Sequence, residues 1–178
     1  MACNPVPTAA PPPAAVPVDD LLRVEEVRDA EYFIGELFRR QFASPPPDYG
    51  RHFIALYRPS RSTLAAVGYF HCTIADDLWL CGGVIEDDRA LGRMPAPHRH
   101  ELETSGGVRS RLIHAVVAKF ARAPAFWAYA GEGSVRDAFA AARFATAAPP
   151  HLMVRWNADL TGEQRQDLVR RAIALGPF

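Results

Sequence analysis

Two glycines and two arginines carry the clearest chemical signal in the chain. Gly106 and Gly107 stand directly before an apolar helical repeat, and Arg109 and Arg111 fall in its first turn. A glycine pair lets the backbone turn tightly where a helix begins and leaves the opening amides uncovered, which is an anion site. Cations at that end oppose the helix dipole by roughly 0.3 to 1 kcal/mol each, and a bound phosphate reverses the penalty. On a helical wheel Arg109 lies within the apolar arc of Leu112, Val116 and Phe120. Its side chain is therefore expected to point toward the end of a sheet and to need a partner there. The competing reading is a glycine-started core helix whose arginines reach water.

Other reactive side chains give weaker signals. His98, His100, Glu101 and Glu103 crowd one segment, but no second ligand cluster supports a metal, and a solvated loop is expected. His71 and His114 are isolated among apolar neighbours and read as structural. Trp79, Trp127 and Trp156 fall in strands and read as packing residues before a binding cage. Cys3, Cys72 and Cys81 lack a CxxC spacing, so neither a zinc site nor a disulfide framework is indicated. A two-residue turn at Asp76-Asp77 would pair Ala75 with Leu78 and, further out, Cys72 with Cys81. These are expected to be buried, reduced, directly opposed thiols.

The elements that must position these residues follow from periodicity. Residues 1–17 are rich in proline and alanine and are expected to form an extended leader, with a single domain over residues 18–178. A strand around Leu21 to Val24 precedes a helix capped by Asp29 that buries Phe33, Leu37 and Phe38. His52–Tyr57, Leu64–Ile74 and Leu78–Ile85 form an antiparallel meander, in which Gly68, Gly82 and Gly83 signal a bulge or a close approach. Residues 87–105, interrupted by Pro95 and Pro97, hold one or two short helices. The helix after the glycine pair buries Val108, Leu112, Ile113, Val116 and Val117. A strand at Ala125–Ala130, a helix capped by Ser134, a last strand at His151–Trp156 and a terminal helix with a Thr161/Gln164 capping box complete the chain.

The 49% hydrophobic content indicates a globular domain, and 20 basic residues against 20 acidic ones give no electrostatic reason to expect nucleic acid or an anionic membrane. No apolar run reaches the roughly 20 residues needed to span a bilayer. The start of the chain lacks the charged and apolar regions of a signal peptide, so a cytoplasmic location is expected.

With the glycine-opened helix following the third meander strand, this order resembles the GCN5-related N-acetyltransferase (GNAT) fold over roughly residues 18–156. Thr104-Ser105-Gly106-Gly107-Val108-Arg109 lies where that family has its acyl-CoA loop, and of its pattern only Gly107 matches. AYAGEGSVRDAFAAARF is similar to the family's strand, loop and helix, with Arg143-Phe144 at its Gly-Phe and Phe139 where a tyrosine acid is frequent. The resemblance implies an α/β (α+β) fold: a mixed, mainly antiparallel central sheet with helices on both faces. It implies an acyl-CoA-dependent N-acyltransferase, or alternatively a non-catalytic ligand-binding or interaction module of the same fold. Acetyl-CoA or another acyl-CoA would be co-substrate, with no metal. The acceptor would be a small-molecule or peptide amine, with neither nucleic acid nor membrane as partner and a homodimer left open. Gly82, Gly83 and Val84 would lie beside the thioester, and Gly106, Gly107, Val108, Arg109, Ser110 and Arg111 would hold the pyrophosphate. Glu86 and Asp87 would be the nearest bases, Tyr129 a thiolate donor, and Glu132 a contact to the acceptor amine.

Overall fold

Val108, Leu112, Ile113 and Val116, spaced for one helical face, are all completely buried, and they seat the helix Gly107–Lys119 on the sheet. The computed structural model describes residues 16–131, 133–147 and 151–178. The expected leader therefore lies almost wholly outside the described residues, as does Glu132. In chain order the elements are α1 (Val18–Leu21), β1 (Leu22–Val27), α2 (Ala30–Phe42), β2 (Arg51–Ser60), β3 (Thr63–Ala75) and β4 (Leu78–Glu86). There follow α3 (Asp88–Gly92), α4 (Ala96–Thr104), α5 (Gly107–Lys119), β5 (Ala125–Tyr129), α6 (Ser134–Ala141), β6 (Ala145–Thr146), β7 (Leu152–Trp156) and α7 (Gly162–Leu175).

The sheet runs β1-β2-β3-β4-β5-β7-β6. Neighbours are antiparallel except for the parallel pair β4 and β5. Side-chain alternation divides it into two faces. One face carries Phe53, Phe70, Cys72, Cys81, Val84, Phe126 and Ala128 beneath α5 and α6. The other carries Ile54, Tyr69 and Ile85 against α2, and Leu80, Trp127, Leu152 and Val154 against α7. Helices thus cover both faces, as expected.

Local signals explain most boundaries. Asp29 caps α2 through the Tyr32 amide at 2.9 Å, and Leu37 is buried beneath it, whereas Phe33 and Phe38 are only half-buried. Thr161 and Gln164 form the capping box of α7. Gly68 has no Cβ because α5 sits on it; an added Cβ would lie 2.5 Å from Val108 Cγ1. Ala75 pairs with Leu78 and Cys72 with Cys81, both thiols free and buried. Burial and the neighbouring Cys72 push the Cys81 thiol well up.

Three features differ from the sequence reading. The first element is the short helix α1, so the first strand starts at Leu22. The two-residue strand β6 precedes the last long strand. Ser134 opens α6 without capping it; the N-cap is Gly133 at φ 85°, and the Ser134 hydroxyl is taken elsewhere.

Candidate functional site

At the start of α5, Gly106 and Gly107 both take left-handed backbone angles, φ 95° and 77°, a geometry glycine adopts without a Cβ penalty. The turn aims the Arg109 amide at the end of β4, where it donates to Glu86 Oε1 at 3.1 Å. The Arg109 guanidinium meets the same carboxylate, Nη2 to Oε2 at 3.2 Å, and donates through Nη1 to Ser134 Oγ at 3.0 Å. Arg109 Nε is buried without a partner. The partner that the sequence demanded for Arg109 is thus Glu86, read from sequence as a base. Its carboxylate holds the anion position at the helix N-terminus.

A cavity of about 700 Å³ opens beside this pair, walled by Glu86, Gly107, Arg109, Ser134, Asp137 and Arg99 among others. Gly106, Val108 and Ser110 also line it. Val108 is fully buried, and Ser110 Oγ sits 3.2 Å from His114 Nδ1. Arg111 does not line the cavity: its guanidinium pairs with Asp19 of α1 and donates to Ser105 Oγ at 2.7 Å. Asp87 caps α3 by accepting from the Arg89 and Ala90 amides at 3.0 and 3.2 Å, and pairs with Arg40 at 2.9 Å. Those contacts make it a joint between elements.

β4 and β5 pair only at Trp79/Phe126, Leu80/Trp127 and Cys81/Ala128, and beyond that point the sheet parts. The residues on the free side begin with Gly82 and Gly83, which together oppose the single residue His71 on β3 and form a bulge. Val84 points into the core beneath α5. Tyr129, at the end of β5, is on the opposite face, its ring edge-on to Phe178 at 5.8 Å. On that face His71 packs against Tyr69 (5.8 Å between ring centroids), Tyr49 (6.4 Å) and His52 (6.4 Å), and His52 Nδ1 lies 2.9 Å from Tyr69 Oη. Burial, with a smaller contribution from His52, pushes the His71 imidazole down to about 4, and burial lowers His52 as well. His71, read from sequence as structural, therefore stands where the two strands separate. The signal that could have found it is the pairing of a histidine with a glycine doublet across two strands.

The bulge makes a sharp prediction. A Cβ at position 82 would lie 2.2 Å from His71 Cε1 and Nε2, whereas one at position 83 meets nothing within 4 Å. Gly82→Ala is expected to cost about 1 to 3 kcal/mol in urea unfolding through overpacking, and Gly83→Ala much less. Equal costs would place the bulge elsewhere.

The histidines and acids of α4 do not converge. His98 Nδ1 lies 2.6 Å from Tyr57 Oη, Glu101 accepts from the Val18 amide at 3.0 Å, and Glu103 faces Arg99 at 3.9 Å. Among the described residues no group of three or more His, Cys, Asp or Glu side chains could hold a metal ion, and no helix is long and apolar enough to cross a membrane.

The sheet order, the parting of β4 from β5 and the helix that opens beside the gap are the fold of the GCN5-related N-acetyltransferases. Among solved structures the chain is similar to YhhK of E. coli, described as a candidate N-acetyl transferase and solved bound to coenzyme A. The two share 12% identity with a TM-score of 0.50 over 76% of this chain and 98% of YhhK. It is also similar to the KacTA–DNA complex (12% identity, TM-score 0.43, 84% of this chain and 99% of that one). AtaTR bound with acetyl-CoA is a third (11%, 0.41, 84% and 98%). At these identities the likeness establishes the fold. No protein-family profile matches the chain, and no curated protein matches it in sequence. One sequence expectation is corrected: the exclusion of nucleic acid does not stand, since one of the similar structures, KacTA, is solved in complex with DNA. The physical reason is that net charge is a sum over the whole chain and does not report how charge is distributed.

Proposed function

We propose that the chain is an acyl-CoA-dependent N-acyltransferase that moves an acetyl group from acetyl-CoA to an amine. The observation that carries this reading is the α5 N-terminus, where two left-handed glycines and Arg109 face a cavity of about 700 Å³ walled by α3, α4, α5 and α6 and reached by Glu86 at the end of β4, the strand that parts from β5. The residues present fit such a co-substrate. Arg109 Nε is a buried donor without a partner, and Gly107 holds the left-handed turn (φ 77°) that opens the helix at the cavity. When bound, acyl-CoA supplies an activated thioester carbonyl.

The chain's own groups do the remaining work. Amides from Gly106 to Arg111 and the Arg109 guanidinium hold phosphate oxygens. The unpaired edge of β4 from Gly82 to Val84 offers backbone groups to the acyl arm and to the oxygen that gains charge. Glu86, which an anion displaces from Arg109, serves the phosphate end of the site. To Tyr129, at the end of β5, we assign protonation of the departing thiolate. For this last role Tyr129→Phe is the check: turnover unchanged, with acetyl-CoA binding intact, removes Tyr129 from the mechanism.

The Glu86–Arg109 pair also favours a second reading, a non-catalytic ligand-binding or interaction module of this fold. Phe139 points the same way, because it is 2% exposed and packed on Phe70 and Phe144 where a proton donor is frequent in the fold. Thermal shift with acetyl-CoA separates the readings, because ligand at a hundredfold excess over its dissociation constant stabilises by about 2.7 kcal/mol. Absence of any shift sinks the acyl-CoA reading. A shift without thiol release across a panel of amines selects the second.

A further inference from the structure

We propose that the outer edge of β1 docks a second copy of this chain, the two β1 strands pairing antiparallel about a two-fold axis at Val24. The edge is separated from β4 and the α5 cavity by β2 and β3, and its pairing is independent of acyl-CoA. The two ends of the sheet are unlike. One is β6, two residues long; the other is β1, six residues in unbroken register with β2. An edge strand presents a row of unpaired amides and carbonyls, which proteins often blunt with proline, a bulge or a very short strand. β1 has none of these.

Leu22 shows which residues form the outer row. Its amide turns back to the Val18 carbonyl of α1 instead of reaching β2. In an antiparallel ladder the amide and carbonyl of one residue point to the same side, and successive residues alternate. Val24 and Glu26 therefore face outward with Leu22, while Arg23, Glu25 and Val27 face Leu56, Ile54 and His52 of β2. Among the described residues no hydrogen bond reaches the amide or carbonyl of Val24 or Glu26 from outside the sheet.

The charges on this edge select the partner and the register. Arg23 and Glu25 are exposed, stand opposite apolar residues of β2, and make no ion pair among the described residues. A two-fold pairing that matches outward-facing residues can centre on Arg23, Val24 or Glu25. Centring on Arg23 sets it against the partner's Arg23, and centring on Glu25 sets it against the partner's Glu25. Like charges directly opposite one another are destabilising. Centring on Val24 sets Arg23 against the partner's Glu25 and Glu25 against the partner's Arg23, while Leu22 and the partner's Glu26 form a hydrogen-bonded pair. Charges placed only to guard the edge would repel in all three registers. On the face that carries Arg23 and Glu25, a groove of about 380 Å³ runs beside β1 over Leu56 and Leu64, and Leu64 is 56% exposed. A second β1 closes the open side of that groove.

Sedimentation velocity tests the pairing. A strand this short buries less than the roughly 1,200 to 2,000 Å² of a standard interface, so the wild-type chain is expected to pass from monomer to dimer between about 5 and 500 µM. Arg23→Glu and Glu25→Arg each turn both ion pairs into repulsions, and each is expected to weaken self-association roughly tenfold or more. Both positions are exposed, so urea midpoints should stay near that of the wild type. Mixing the two variants in equal amounts is expected to restore the dimer, because every charge then meets its opposite on the partner. A fold defect in either variant would not be cured by mixing. A wild-type chain that stays monomeric throughout the series overturns the proposal. Dimers that persist undiminished in both variants place the interface elsewhere and overturn it, and variants that remain monomeric when mixed overturn the register about Val24.

Discussion

Glu86→Gln is expected to bind acetyl-CoA roughly ten- to a hundredfold more tightly than the wild-type chain, and Arg109→Gly to bind it more weakly by a similar factor. The argument is competition. The Glu86 carboxylate accepts both the Arg109 amide at 3.1 Å and its guanidinium at 3.2 Å, the same donors a pyrophosphate would use. A phosphate entering must displace a like charge from a partly buried site, where both side chains are at most a quarter exposed and solvent screens them incompletely. Glutamine keeps the shape and can still accept from the amide, but it neither repels phosphate nor holds Arg109 by charge. Glycine at 109 removes the guanidinium and leaves Glu86 facing the cavity unpaired, which weakens anion binding further. Calorimetric titration of both variants reads the result. Tighter binding in Arg109→Gly, or binding seen only there, would mean that the Glu86–Arg109 pair plugs the cavity, and the acyltransferase reading would fall.

The residues that were legible in the sequence are those whose partners are close in the chain or fixed by a short turn. Ala75 pairs with Leu78 across Asp76-Asp77, and this alone sets Cys72 opposite Cys81. The apolar stripe of α5 and the caps at Asp29 and Thr161 are equally local, and each forms as read. What stayed hidden depends on contacts between distant parts of the chain. Glu86 and Arg109 are 23 residues apart with two helices between them, and they meet because α3 and α4 bring the start of α5 back to the end of β4. Ser134 looked like a cap because its local sequence suits one, yet a guanidinium from α5 takes its hydroxyl. His71 looked isolated because its neighbours His52 and Tyr49 come from the preceding strand and loop, and because the bulge opposite is a property of pairing.

Acidification should destabilise the chain well above the range where carboxylates titrate, and His71 should account for most of the loss. Its imidazole titrates near 6.5 when unperturbed and at about 4 in the folded chain, because burial disfavours the charged form and His52 stands close by. The sign follows from proton uptake. Between about 6.5 and 4 the unfolded chain binds a proton that the native chain does not, so stability is full above this window and falls as pH drops through it. At pH 5 the expected loss from His71 alone is about 2 kcal/mol, somewhat less where residual solvent reaches the ring. His52, also lowered by burial, adds in the same direction. Glu26 and Asp77 contribute little at pH 5. Arg51 holds the carboxyl of Glu26 below its usual 4.5, and Arg171 that of Asp77 below 3.8, so their stabilisation is lost only in stronger acid. Urea unfolding at pH 7.5 and pH 5 therefore isolates the histidines. Wild type should lose about 2 kcal/mol or more between the two conditions, and His71→Gln, which has no proton to gain at this position, should lose correspondingly less. The same loss in both chains would show that the His71 ring takes up its proton in the folded state as readily as in the unfolded one, and the dry contact with Gly82 and Tyr69 described above would then be wrong.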